Sequence, residues 1–407
     1  MLRTKNIPDP QKWALLSARS ILRFALKPAK GLSACCLIAC AFLPDRLHGG
    51  SEGRIFGDFA ISAEQDDSIL QDAYMYDDTV FPSYAGIGWR GRISRKNYVQ
   101  TYYRLSLTNF SQHQEESFRA HYAKSSWRRH ISGPATLNIS GGYASFVQPK
   151  LNTQSYSGYF AKPGIELWVF PGTGLKVFYS GKSNIYPHYD LDYSASGFEA
   201  EIIQDLTLYG YVKTVVSGER QKFSERELFL DSSGSLSGKL RKDDVSSWRL
   251  EGGYERPGLM MSAGFISEKQ DSNGNYLDYG PGQDQYYNPI NNDETLVNDY
   301  YSISREGPYT SLYARFFRDF YATFFYGYSE SKYNGRFAKD ISDNFLANSP
   351  ERKDKEHLIT GEITRLIRFR NITFGTSAGG SWKNNVSNDE LSDFTNNKMF
   401  VRLRSWF

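Results

Sequence analysis

Beyond residue 40 the chain of 407 residues has no cysteine; Cys35, Cys36 and Cys40 are its whole complement. Residues 51–407 therefore hold neither a disulfide nor a cysteine-ligated metal. Long hydrophobic runs are missing as well. The apolar and small-residue stretch Gly31–Leu43 is thirteen residues long, short of the ~20 that a membrane helix needs. With a mean hydropathy of −0.54, a helical membrane bundle is excluded. An excess of one charge sign is also lacking. The net charge is +3, and residues 1–50 carry eight of the 48 basic and two of the 45 acidic residues, so the remainder is net −3. The basic balance belongs to the first fifty residues, and nucleic-acid binding loses its electrostatic support. Aromatics, by contrast, are abundant, at 15% with 29 Tyr, 27 Phe and 7 Trp. That content excludes a disordered chain, which needs few of them.

The first fifty residues have the layout of a secretory leader. A basic stretch with Arg19, Arg23, Lys27 and Lys30 runs directly into Gly31–Leu43, whose length fits the apolar core of a signal peptide. Residues 1–50 are expected to be a targeting segment and residues 51–407 a single domain. Leu37-Ile38-Ala39-Cys40 resembles a lipoprotein processing box, which makes Cys40 the candidate lipidation site.

From Arg54 onward the dominant pattern has period two. Trp248, Leu250, Gly252 and Tyr254 alternate with Arg249, Glu251 and Gly253; after Pro257-Gly258, Leu259, Met261, Ala263 and Phe265 alternate with Met260, Ser262 and Gly264. Segments of about ten residues match what a tilted strand needs to cross a bilayer. Short turns fall near Arg95-Lys96, Ser132-Gly133-Pro134, Pro171-Gly172, Gln204-Asp205, Pro257-Gly258, Arg318-Asp319 and Arg370-Asn371. Long polar stretches lie between them, near 64–82, 109–116, 147–157, 185–195, 217–245, 267–308, 330–356 and 384–396. Seven short and eight long connections in alternation give about sixteen strands, with both ends on the short-turn side; fourteen or eighteen follow if the strand at 116–126 or the boundaries around 217–245 are drawn differently. The expected fold is all-β, a closed antiparallel transmembrane barrel with short periplasmic turns and long extracellular loops.

The last residues support this expectation. Met399, Val401, Leu403 and Phe407 share one face opposite Arg402 and Arg404, and Phe407 is the final residue. This resembles the C-terminal strand signal of bacterial outer-membrane β-barrels, which the barrel-assembly machinery reads; Ser405 departs from it where an apolar residue is usual. Sixteen strands are similar in number to general porins and to exopolysaccharide exit barrels. The resemblance implies a bacterial outer-membrane location, outer-membrane lipid around the wall, and either a homotrimer or a periplasmic partner.

Alternation assigns Arg90, Arg92, Arg104, Arg119, Lys176, Arg249, Arg315, Lys383, Arg402 and Arg404 to the inner face, with fewer acids, Glu199, Glu201, Glu251 and Glu362. Rings of basic side chains favour anions in a pore. The loop Ser267–Gly307 holds eight acids against two bases and is rich in tyrosine. Its Tyr276, Asp278, Tyr279, Asp284, Tyr286 and Tyr287 are candidates for narrowing a basic lumen or for stacking on sugar rings. No metal site, cofactor or catalytic set is expected. Gly86-x-Gly88-x-x-Gly91 lies inside a strand and opens no helix, and Asp271-x-Asn273-x-Asn275 lacks the glycine and glutamate of a calcium loop. The function expected is a channel for small hydrophilic solutes or saccharides. The alternatives are an exit barrel for a secreted polysaccharide and a surface adhesin or phage receptor.

Overall fold

The structure, a computed structural model, describes residues 53–68, 76–150, 155–188, 191–231, 234–279, 294–341, 345–346, 348 and 350–407. The candidate targeting segment and Cys40 lie outside these residues. In chain order the strands are β1 (Gly53–Asp66), β2 (Asp78–Ser94), β3 (Asn97–Phe110), β4 (Phe118–Ser132), β5 (Ala135–Val147) and β6 (Tyr156–Phe170). They continue as β7 (Thr173–Ile185), β8 (Tyr193–Asp205), β9 (Gly210–Phe229), β10 (Leu236–Arg256), β11 (Leu259–Ser272) and β12 (Tyr276–Tyr279). The last six are β13 (Glu294–Val297), β14 (Ile303–Phe317), β15 (Phe320–Phe337), β16 (Glu351–Phe369), β17 (Ile372–Ser387) and β18 (Phe394–Trp406).

Sixteen of these strands pair antiparallel with their neighbours, and β1 pairs with β18 to close the barrel. The other two, β12 and β13, form a separate hairpin within the connection from β11 to β14. The tight connections sit at the expected dipeptides. Gly172 and Gly258 have φ of 79° and 85°, a left-handed conformation that glycine adopts without steric cost. The turn between β8 and β9 lies slightly beyond Gln204-Asp205, at Leu206–Tyr209.

One expected loop is largely strand. The polar composition of residues 217–245 points to a long connection, yet β9 and β10 run for 20 and 21 residues and leave only 230–235 between them. A tilted strand needs only about 9–11 residues to cross the hydrocarbon, so these two continue beyond it. Polar composition there reflects water on both faces of the sheet rather than loss of the sheet. Arg220 and Asp244 mark the exit, since they pair at 2.6 Å on the outer register, with most of both side chains in solvent.

Pairing fixes the two faces, because residues paired across strands share a side. The inner register runs through Asp58, Gly86, Arg104 and Tyr122 on β1–β4. The outer register carries the large exposed apolar side chains, among them Ile87, Tyr159, Phe198, Ile202, Leu250, Ile363, Val401 and Leu403. Large apolar residues outside and charges inside invert a soluble protein, and a closed sheet leaves no backbone group unpaired against lipid. With sixteen strands, seven tight turns at one end and the long loops at the other, the chain is an outer-membrane β-barrel.

Arg119 is corrected by this register. It pairs with Leu107 and Val147 on the outer face, one residue inside the loop-side end of β4. Assignment by alternation slipped there because Phe110 and Phe118, the large apolar residues at these strand ends, lie on the inner register and so give the opposite phase to the apolar outer face. Among the tryptophans, Trp168 and Trp406 fall on the inner register at the turn end, whereas Trp89, Trp248 and Trp382 lie on the outer one.

Candidate functional site, the lumen wall and its mouth

The inner face is laid with cross-strand ion pairs. Lys162 reaches Glu199 at 2.9 Å, Lys176 reaches Glu201 at 2.7 Å, and Lys182 reaches Glu219 at 2.8 Å. Lys213 meets Glu251 at 2.6 Å, and Tyr211 and Tyr309 donate to the same carboxylate at 3.0 and 2.6 Å. On β1–β3, Asp58 accepts from Tyr102 at 2.7 Å and Arg104 at 3.1 Å. Lys383 pairs with Glu356 at 3.0 Å. Such pairs neutralise the wall while leaving it wet.

The closing seam is stitched in the same way. Arg402 and Arg404 of β18 approach Glu362 of β16 at 4.0 and 3.3 Å across the intervening β17, and Arg402 also meets Glu64 of β1 at 3.4 Å. The bridge over β17 is open because Gly375, Ser377 and Gly379 put almost no side chain on its inner face. One residue pair higher, Lys398 contacts Asp66 at 3.0 Å.

The remaining candidates divide. Arg92 and Arg315 are on the inner register at the turn end, and Arg315 donates to the Arg318 carbonyl at 3.0 and 2.7 Å, holding the β14–β15 turn. Arg90 and Arg249 have no carboxylate partner among the described residues; Arg90 lies 5.4 Å from the centre of the Phe56 ring. Other inner acids, among them Asp58, Glu64, Asp66, Glu166, Glu219, Asp243, Asp354 and Glu356, lie outside the sequence assignment. Strict parity carried from Gly53 along β1 would have found the first three.

At the loop end a chain of arginines and aromatic rings spans from β9 to β16. The Arg241 guanidinium lies 4.5 Å from the Phe223 ring centre and 3.5 Å from that of Tyr301. Tyr301 touches Tyr300, Arg336 covers Tyr300 and Tyr333 at 4.5 and 5.0 Å, and Arg352 covers Tyr333 at 4.4 Å. Two Arg-x-Asp repeats anchor its ends. Arg241 pairs with Asp243 and Arg352 with Asp354, each at 2.6 Å, and Ser272 and Ser387 from the next strands donate to the two aspartates. Tyr276 joins the chain by stacking on Tyr300 at 4.6 Å. Asp278 and Tyr279 belong to the β12–β13 hairpin, and Asp284, Tyr286 and Tyr287 lie outside the described residues.

Asp78, Ser111 and His113 gather a carboxylate, a hydroxyl and an imidazole without forming a catalytic triad. Both the Ser111 hydroxyl, at 2.5 Å, and His113 Nδ1, at 3.2 Å, meet the Asp78 carboxylate, so the hydroxyl is not aimed at the imidazole. Backbone N–H groups of Ser111, Gln112 and His113 complete the set. Burial pushes this carboxyl up, but the donated hydrogen bonds outweigh it and hold the pKa at about 2. A depressed carboxyl stabilises above its ordinary range, so this anchor is lost only as pH falls through about 2. Asp78→Ala is expected to free the 111–117 connection and raise its proteolysis about tenfold with the barrel intact, the size of one buried carboxylate's bonds. Unchanged cleavage would deny it an anchoring role.

The apparent calcium loop has a similar explanation. Asn273 bonds the backbone of Lys242 and Leu240, Asn275 brackets Phe229, and Asp271 pairs with Lys269. The three side chains brace strand ends in different directions.

No family model and no curated protein matches the chain. Among solved structures it is similar to the outer-membrane expressed OmpT of Vibrio cholerae, at 8% identity and a TM-score of 0.47, over 88% of this chain and 98% of that one. It is similar to OprD of Pseudomonas aeruginosa, at 8% identity and TM-score 0.43, over 87% and 95% of the two chains. A bacterial polysaccharide outer membrane secretin aligns at 9% identity and TM-score 0.43, over 86% and 97%.

Proposed function

We propose that this barrel is a water-filled channel that passes small hydrophilic solutes across the bacterial outer membrane, with a mild preference for anions. The observation that carries the reading is the polar, ion-paired inner register inside an apolar outer one. Sixteen strands enclose a bore wider than side chains fill. The pairs supply a hydrated wall of nearly balanced charge, and Arg90 and Arg249, lacking carboxylate partners among the described residues, tilt the balance toward anions. Residues 1–50 serve as the export leader, and the end of β18 with Phe407 as the segment read during assembly.

Planar-bilayer recording of the refolded protein under a salt gradient tests this. The expected result is stepwise opening with a reversal potential on the anion side. Arg90→Glu with Arg249→Glu is expected to move that potential to the cation side without changing the stepwise opening. A barrel that inserts and never conducts would end the channel reading. Reversal unaffected by both substitutions would end the role given to the two arginines.

A further inference from the structure

Several inner-face aromatics lie flat against the wall, each over a glycine of the neighbouring strand. Phe56 of β1 covers Gly88, where an added Cβ would come within 2.5 Å of the ring, and Tyr102 of β3 covers Gly86. Both glycines belong to β2, and the two rings are almost parallel, 2° apart in plane with centroids 5.9 Å apart. Phe160 of β6 likewise covers Gly142 of β5, where a Cβ would meet it at 2.8 Å, and it stacks at 13° with Tyr122 of β4. Two flat aromatic platforms thus occupy one side of the lumen. They are three strand spacings apart, or roughly 14 Å at the usual inter-strand distance.

Hydrogen-bonding charge borders both platforms. Asp58 and Arg104 hold the Tyr102 hydroxyl at the first. Lys162, paired with Glu199, projects from the strand that carries Phe160 beside the second. Small ions and amino acids need only the charges. A flat, half-buried ring adds something for a solute with a flat carbon–hydrogen face, and at the first platform Arg90 and Arg104 stand 5.4 and 5.3 Å from the Phe56 and Tyr102 ring centres as further hydrogen-bond donors. A pyranose has that face, which meets the electron-rich ring, together with equatorial hydroxyls for carboxylates and ammonium groups at the rim.

We propose that the lumen binds pyranose chains, with Phe56–Tyr102 and Tyr122–Phe160 as two stacking subsites on one wall. The proposal rests on the channel reading and narrows its solute to saccharides. The test is interruption of single-channel current by α-linked and β-linked glucose hexasaccharides. Free glucose serves as a one-ring control, and gel mobility before and after heating confirms a folded barrel.

At least one hexasaccharide is expected to block at millimolar concentration, and glucose far more weakly. Phe56→Ala and Phe160→Ala are each expected to weaken block about five- to tenfold, the range set by one aromatic contact. Phe160→Tyr, which keeps the ring, is expected to restore it. Conduction without block by either hexasaccharide would overturn the saccharide proposal and leave the channel intact, whereas absence of conduction would remove the channel itself. Block indifferent to both alanine substitutions, or matched by indole at equal concentration, would also overturn the proposal.

Discussion

Asp243→Ala is expected to cost about 3–5 kcal/mol of barrel stability, because it strips the partner from a charge that has left water. Asp243 is 1% exposed and Arg241 8%. The carboxylate receives two hydrogen bonds from Arg241, at 3.0 and 2.6 Å, one from Gln270 at 3.0 Å and one from Ser272 at 2.5 Å. Without it the guanidinium keeps the Phe223 and Tyr301 rings but has no counter-charge among the described residues. The double substitution Arg241→Met with Asp243→Leu is expected to recover most of the loss, since apolar groups of similar volume replace a buried pair at little cost. Urea titration of the refolded full chain, read by gel mobility, checks both. A single-variant loss below about 1 kcal/mol, the range of an exposed pair, would show that water reaches the site.

The second large effect lies on the other face of the same strand. Leu250 is on the outer register of β10, paired with Thr214 and Phe265, and 46% exposed. It sits between the β10–β11 turn and the Arg220–Asp244 pair, within the hydrocarbon layer. Leu250→Arg is expected to destabilise insertion by about 2–4 kcal/mol, the cost of a base near the bilayer midplane of a barrel. Ser262→Arg, nearby on the inner register of β11, is expected to fold normally and alter only conductance. Refolding yield into vesicles across a urea series distinguishes the two. A lower yield for Ser262→Arg would mean that the faces are assigned the wrong way round, and equal yields would mean that Leu250 does not face lipid.

Architecture was legible because two independent periods agree. Alternation gives strands, and the rhythm of Pro-Gly or Arg-Asn dipeptides against long polar stretches gives their number. The rhythm failed at 217–245, where strands leave the bilayer and alternation fades while pairing persists. Individual wall residues were less legible, for a related reason. Parity decides a face where apolar residues point outward, as around Trp248, Leu250 and Phe265, and misleads at Arg119, whose neighbour Phe118 lies on the inner register. Pairing was illegible altogether. Glu362 and Arg404 are 42 residues apart and meet because Ser377 and Gly379 vacate the strand between them. Arg402 and Glu64 meet only through closure, 338 residues apart. The Arg–Tyr chain at the mouth depends on rings from several strands and one loop, which no local spacing announces.

Because no cysteine lies beyond residue 40, thiol labelling can ask position by position whether the inner register of β18 is the wall of a water-filled pore. Single cysteines would be placed at Lys398, Met399, Phe400, Val401, Arg402, Leu403 and Arg404, in a chain whose Cys35, Cys36 and Cys40 are replaced by serine. A charged, water-soluble thiol reagent would then be added during bilayer recording. A conductance change is expected at 398, 400, 402 and 404 and none at 399, 401 and 403. Uniform reactivity, or reactivity at the odd positions alone, would contradict it.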